Sequence, residues 1–420
     1  MPGKLNILIV NWTWFPSGGD WTYVENLCSF YESLGHTVIS FSMMNEKNFP
    51  SSSSEYFITK IDYRKLNKNK TLINGLRAVK NSIYSTEARS NLASLLEKYH
   101  IDIVHLNNIH HYLTPASIIP EIKKRSIPII WTLHDYVILC PNTTFISNEN
   151  VCEKCKGGKF YQCILNKCKK QSVKASFVAA LESYANKFSN PYKYVDYFIC
   201  PSEFIKKKFE SFGFECNKLK QVYNLFDIHS VSGQYDAPPG IGDKPYIVYV
   251  GSIVKVKGIF TLVKAMVGLE LELKVIGGGE EFDELKELVE NNHIQNVKLL
   301  GKLPKEEVFR FVQHASLVVV PSEWYEKLPY SLVEAMLLSK PVLGADIGGI
   351  PELVINKVTG QLFQPGNTSD LRMKIQQMMS DKDKLTQMGK HGREHALSLV
   401  NFDTFAQHLS PIFESLQLAL

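Results

Sequence analysis

The chain has 420 residues, 45% of them hydrophobic, and carries 47 basic against 42 acidic side chains for a formal net charge of +5. That length exceeds one ordinary core and suits two domains of roughly 200 residues each, and the hydrophobic content supports packed globular units. The charges form no recognisable nucleic-acid motif, and no apolar run reaches the ~20 residues of a membrane-spanning helix.

The N-terminal run Leu5-Asn6-Ile7-Leu8-Ile9-Val10 is strand-like and too short for a signal segment, so a cytoplasmic protein, peripheral at the inner face of the cell membrane, is expected. Basic residues are uneven: 28 against 20 acidic ones up to residue 240, then 19 against 22. Lys65, Lys68 and Lys70, or Lys206, Lys207 and Lys208, are therefore candidates for contact with an anionic membrane, and a merely solvated face explains them equally well.

Short β-branched runs alternate with helical patterns, which predicts parallel sheets with crossover helices. Ile7-Leu8-Ile9-Val10 opens the series, and the loop Phe15-Pro16-Ser17-Gly18-Gly19-Asp20 then leads into a helix through Val24 to Leu34. This loop lacks a dinucleotide fingerprint. Ile103-Val104-His105-Leu106 is a second strand, with Asn107, His110 and His111 after it; these histidines suit an acceptor pocket better than a metal, because no carboxylate partner is apparent. Pro128-Ile129-Ile130-Trp131-Thr132 places His134 and Asp135 at a strand end, where open α/β sheets bind ligands.

A cysteine-rich insert, 140–170, follows. Cys152, Cys155, Cys163 and Cys168 have a spacing that suits a structural zinc ion, with reduced unliganded thiols as the alternative and Cys140 as a fifth sulfur nearby. The Gly/Pro-rich stretch 233–243 reads as a linker, and the strand series restarts at Tyr246-Ile247-Val248-Tyr249-Val250. The predicted domains are 1–235, 244–395 and a closing helix within 396–420.

In the second half, Gly251-Ser252 through Lys255-Val256-Lys257-Gly258 is a Gly-bounded loop carrying cations, which an ordinary solvated turn also explains. Leu273-Lys274-Val275-Ile276 runs into Gly277-Gly278-Gly279, alone a weak sign of a nucleotide loop. Asp381-Lys382-Asp383 has the form of a metal motif but sits at a polar helix start. The most informative stretch begins at Leu317-Val318-Val319-Val320-Pro321-Ser322. Beyond it Glu326 and Glu334 are separated by seven residues across a loop-to-helix junction marked by Leu328-Pro329-Tyr330-Ser331. A helix start suits a phosphate, and carboxylates suit sugar hydroxyls.

That strand, the Pro-Ser pair, the two spaced glutamates, and the downstream Gly348-Gly349-Ile350-Pro351-Glu352 and Thr359-Gly360 through Pro365-Gly366 together resemble retaining glycosyltransferase family four over nearly the whole chain. The resemblance implies the GT-B fold, two doubly wound Rossmann-like domains facing across a cleft, with the last helix crossing back to the first domain. It implies that Lys257 neutralises the diphosphate of a UDP- or GDP-linked sugar, that Glu326 holds sugar hydroxyls and Glu334 the ribose, and that His134, with Asp135, meets the sugar's far side. Gly18, Gly19, Gly278, Gly279, Leu328, Tyr330 and Ser331 would line the donor site, and the loop at Gly301-Lys302-Leu303 would read the base through its backbone. His105, Asn107 and His110 would face a glycan or lipid-linked acceptor.

Ser252 stands where the resembled family commonly has arginine, one charge fewer, and Lys255 and Lys327 are the cations nearby whose replacement of it is left open. The insert marks a subset of the family that also carries Leu-His-Asp-Tyr ahead of Cys-Pro-Asn. The expected reaction is transfer of a hexose with retention of configuration in surface polysaccharide synthesis, with no catalytic metal or other cofactor. The alternatives are a sugar-nucleotide epimerase or phosphorylase of the same architecture, or a non-catalytic subunit of a polysaccharide assembly complex.

Overall fold

A computed structural model of the protein describes residues 3–60, 81–231, 233–238 and 244–420. Lys65, Lys68 and Lys70, and residues 239–243 of the linker, lie outside the described residues. The chain divides into two compact units, Met1–Leu225 with Phe405–Leu420, and Phe226–Thr404.

The first unit is built on β1 (Asn6–Val10), α1 (Gly19–Ser33), β2 (Thr37–Phe41), α2 (Thr86–Lys98), β3 (Ile103–Leu106), α3 (Pro115–Lys123) and β4 (Ile129–Thr132). A small hairpin, β5 (Ile146–Ser147) with β6 (Asn150–Val151), precedes α4 (Tyr161–Leu165), α5 (Val173–Ser189), β7 (Tyr197–Cys200), α6 (Glu203–Ser211) and β8 (Leu219–Gln221). The main sheet is parallel, in the order β2-β1-β3-β4-β7-β8. Its central strands β3 and β4 are buried at every position, as expected for parallel strands covered on both faces.

The second unit contains β9 (Tyr246–Val250), α7 (Ile259–Met266), β10 (Glu272–Ile276), α8 (Phe282–Asn291), β11 (Val297–Gly301), α9 (Lys305–His314), β12 (Leu317–Val320) and α10 (Tyr330–Leu337). It continues through β13 (Val342–Ala345), α11 (Ile350–Leu353), β14 (Gly360–Phe363), α12 (Thr368–Met379) and α13 (Lys382–Val400). Its sheet is also parallel, in the order β11-β10-β9-β12-β13-β14. The last helix, α14 (Phe402–Ser415), brings its buried face to the first unit: Phe405 meets Phe30 edge-on at 5.0 Å, and Phe413 lies 6.2 Å from Tyr31.

Two expectations shift, and the reading of one helix start holds. The helix read from Val24 begins at Gly19, because Gly18 is its N-cap. The described part of the linker is docked: Tyr235 N–H donates to Gln313 Oε1 at 2.7 Å, and its ring packs on Phe309 of α9. The Asp381-Lys382-Asp383 triplet is a helix cap, with Asp381 Oδ1 accepting from Lys384 N–H at 3.0 Å. Among the described residues, no helix is long and apolar enough to cross a membrane.

Candidate functional site

The second sheet reverses its strand order between β9 and β12, the place where ligand crevices open beyond the carboxyl ends of parallel strands. Glu323 N–H donates to Val256 O over 2.8 Å and ties the loop after β12 to the loop after β9. Gly258 makes this approach feasible: its φ is 68°, and a methyl group there would collide with the Pro321 carbonyl oxygen. Lys257 Nζ thereby reaches Glu326 Oε1 at 2.6 Å. Ser322 Oγ and Trp324 Nε1 donate to the same oxygen, each over 2.7 Å, and the Lys257 ammonium stands 5.2 Å above the Trp324 ring.

Glu326 is only 3% exposed. Burial alone would push its carboxyl up, but the Lys257 ammonium and the hydrogen bonds from Lys257, Ser322 and Trp324 outweigh burial and hold it below the ordinary range. At neutral pH Glu326 is thus a carboxylate, which accepts hydrogen bonds and has no proton to give. Its backbone is clamped from the other side. Gly349 N–H donates to Glu326 O at 2.8 Å, and Gly348, with φ at 64°, lies so close that any side chain would collide with the Glu326 backbone.

Beyond Glu326, Leu328 is buried and Pro329 is the N-cap of α10. Tyr330 and Ser331 form its first turn, with the Tyr330 ring 4.5 Å from that of Phe226. Glu334 stands just over one turn into the helix and is half-buried. Burial pushes its carboxyl up to about 7, although the Lys305 ammonium draws it partway down. Two carboxylates of opposite character therefore flank one positive helix start.

The glycine run after β10 lies against the loop after β9. Ile253 N–H donates to Gly278 O at 3.1 Å, Gly279 is pressed on the Ile253 carbonyl, and the Lys302 side chain covers Gly278. Ser252 is exposed, and its carbonyl accepts from the Tyr249 hydroxyl at 2.8 Å. Lys255 pairs with Glu284 of α8 at 3.2 Å, both side chains being largely exposed. Lys327 Nζ lies 5.6 Å over the Trp324 ring.

The first sheet has its own reversal, between β1 and β3. Asn108 binds both sides of it: its N–H donates to Asn11 Oδ1 at 3.2 Å and its Nδ2 donates to Asp20 Oδ2 at 2.6 Å. Gly18 and Gly19, between them in the chain, are exposed. His134 is buried, with Nε2–H donating to Asn107 Oδ1 at 2.9 Å and its ring edge-on to Tyr23 at 4.7 Å. Asp135 Oδ1 accepts from Val137 N–H at 2.9 Å. His110 stacks on Trp131 at 5.3 Å and bonds the Tyr192 hydroxyl at 3.1 Å, and burial holds its imidazole well below the usual range. His111, at a φ of 68°, gives both its backbone N–H and Nδ1–H to Glu182 of α5, at 3.2 and 2.6 Å.

The sequence profile described as Glycosyltransferase Family 4 matches residues 17–230, just over half of the chain. The chain belongs to glycosyltransferase family 4. A second profile, glycosyl transferases group 1, matches residues 234–395 of this family-4 chain. An uncharacterized glycosyltransferase of Methanocaldococcus jannaschii is 25% identical over 382 residues, covering 90% of this chain and 89% of that one. Sucrose-phosphate synthase of Thermosynechococcus elongatus superposes with a TM-score of 0.71 at 19% identity, covering 99% of each chain. HepE of Anabaena, solved in complex with UDP, gives 0.68 at 18% identity, covering 98% of this chain and all of that one. These solved structures share the fold of this family-4 chain: two Rossmann-like halves, each on a parallel sheet, as in GT-B proteins.

Of the candidate residues in the second half, Ser252, Lys257, Gly278, Gly279, Glu326 and Leu328 lie on the segments that follow β9, β10 and β12, and Tyr330, Ser331 and Glu334 lie in the first turns of α10. Ser322 is part of the Pro-Ser pair but its bond to Glu326, like that of Trp324, has no signal of its own in the sequence; a buried carboxylate with one cation nearby needs further donors, and these two lie within four residues of it. In the first half, His105 is a core residue. It lies within β3 and has no exposure, its Nδ1 meets the Tyr31 hydroxyl at 3.0 Å and its Nε2 the Thr132 hydroxyl at 2.7 Å, and burial lowers its imidazole to about 3. It serves the sheet and presents nothing to an acceptor. Lys206 and Lys207 share Glu203 and Lys208 pairs with Glu153, so two of the three charges in this run are offset. Cys155 and Cys163 share a buried cluster with Phe160 and Ala180, against which Cys168 packs. As they stand, no three or more His, Cys, Asp or Glu side chains among the described residues are arranged to hold a metal ion.

Proposed function

We propose that this family-4 enzyme moves a hexose from a UDP- or GDP-linked sugar to a hydroxyl of a lipid-linked glycan, with retained configuration, in surface polysaccharide synthesis. The observation that carries the reading is the buried Glu326 carboxylate, fixed by Lys257, Ser322 and Trp324 one loop ahead of α10. HepE, with the same fold, is solved with UDP, which favours a nucleotide-linked donor here. An incoming diphosphate would compete with Glu326 for Lys257, which frees Glu326 to accept from sugar hydroxyls while Lys257 and the start of α10 meet the phosphates. Glu334, in its ionised form, would accept from the ribose hydroxyls, and His134, held by Asn107, would face the sugar.

In the transfer step the bond from the anomeric carbon to the phosphate oxygen breaks and the bond to the acceptor oxygen forms on the same face. The leaving phosphate takes the acceptor's proton, so the chain's work is electrostatic stabilisation of the leaving group. Release of free nucleoside diphosphate only when an acceptor is added would separate this reaction from epimerisation and from a silent binding subunit. The test of the site is calorimetric titration with a panel of sugar nucleotides, wild type against Glu334→Ala. Binding of one donor that the variant loses supports the reading; binding that ignores Glu334, or none at all, sinks it.

For the insert we propose a structural zinc ion on Cys152, Cys155, Cys163 and Cys168, supported by their spacing and by the clustering of three of them. Loading would require the thiols to turn toward a common point.

A further inference from the structure

Six of the fourteen large hydrophobic side chains left exposed among the described residues fall between Tyr161 and Phe188. On α5, Val173 (50% exposed), Phe177 (54%) and Leu181 (37%) repeat every four residues, and Phe188 (83%) extends the same stripe. At 100° per residue these four lie within an arc of roughly 80°, opposite the side that buries Ala179, Glu182 and Asn186. Tyr161 and Leu165 (70%) add to the face from α4, which packs on α5. Together they expose on the order of 600 Å², at the top of the range for a soluble surface.

The exposed charge along α4 and α5 has one sign. Residues 151–190 contain eight lysines, no arginine and only two acidic residues, Glu153 and Glu182. Glu182 is buried against His111, and Glu153 pairs with Lys208 at 2.6 Å. Lys159, Lys167, Lys170 and Lys174 remain exposed. Protein interfaces are depleted in lysine, whereas an apolar, aromatic stripe bordered by lysines is what an anionic bilayer surface attracts.

We propose that the α4–α5 face is a membrane-docking surface that seats on anionic lipid headgroups, with Phe177, Phe188 and Leu165 entering the interface. The opposite side of α5 carries Glu182, which holds His111 in place, so one helix thickness of about 10 Å separates the bilayer from the His110–His111 loop. The use of this for a lipid-linked acceptor rests on the proposed function; the docking itself does not.

The experiment is co-sedimentation of the full chain with vesicles of phosphatidylcholine alone, or with about one quarter phosphatidylglycerol, at low and raised salt. Wild type is expected to bind the anionic vesicles only, and less well as salt rises. Phe177→Ser/Phe188→Ser should weaken binding about tenfold, and Lys159→Gln/Lys167→Gln/Lys174→Gln about a hundredfold. All five positions are exposed, so both variants should keep the wild-type melting temperature and sugar-nucleotide titration. No binding to anionic vesicles, or binding that neither variant weakens, overturns the proposal. Concentration-dependent self-association that Phe177→Ser/Phe188→Ser abolishes also overturns it, by giving the face to a second copy. Failure of the transferase reading would appear separately, as absence of sugar-nucleotide binding.

Discussion

Replacing Lys257 by methionine keeps most of the unbranched apolar stem and removes the ammonium, with its charge and its hydrogen bond to Glu326. Glu326 is then left 3% exposed with Ser322 and Trp324 as its remaining donors. Stripping one partner from a buried pair costs 3–5 kcal/mol because the other charge stays uncompensated; with two hydrogen bonds retained, the low end, about 3 kcal/mol, is expected. For a unit of this size that lowers Tm by roughly 6–12 °C. The sign with pH is fixed by the competing causes. In the wild type the Glu326 carboxyl is held low, so its pairing stabilises the fold above the ordinary carboxyl range and is lost as pH falls. In Lys257→Met burial dominates and the carboxyl moves up, so the loss should be greatest at pH 7 and shrink toward pH 5. Adding Glu326→Gln should restore most of the stability, about 2 kcal/mol, and none of the donor binding. Thermal melts of the two single variants and the double variant decide the matter: an unchanged Tm in Lys257→Met, or additive losses in the double variant, would refute the account.

Glu334, raised to about 7, should make donor affinity rise roughly tenfold between pH 6 and pH 8, because the ribose hydroxyls favour the ionised form; Glu334→Gln should flatten that profile in calorimetry. Gly348→Ala forces a side chain into the Glu326 backbone and should displace that carboxylate by about 1 Å, lowering transfer about a hundredfold in an assay of nucleoside diphosphate release. Metal analysis of the purified chain should find about one zinc per molecule, and a chelator should lower Tm; Cys163→Ser should remove both effects.

Much of this architecture could be read from the residues because the physics is local. A run such as Leu317-Val318-Val319-Val320 has few options besides a strand buried on both faces, and a proline before Tyr330 announces a helix start. What could not be read is pairing across sequence distance. Lys257 and Glu326 are 69 residues apart, and nothing in either loop states that the ammonium touches the carboxylate. Lys255 looked equally free until Glu284 claimed it. His105 lies one residue from the end of a buried strand, and only the tyrosine and threonine that meet its ring reveal that it is held in the core. The insert was legible as thiols at a spacing; the lysine-bordered stripe beside them needed α5 to be laid out as a helix with one face already taken.

The packing of α14 on Phe30 and Tyr31 has a consequence for how the protein is made. About 180 residues of the second unit are synthesised between Leu225 and Phe405, some 10–40 s of elongation at roughly 5–20 residues per second. During that interval two aromatic side chains of the unit begun first still lack their cover. A ribosome that stops short of residue 405 releases a chain with an open apolar groove, a natural mark for chaperone or protease. A fragment ending at Leu225 would need the closing helix supplied as a separate peptide.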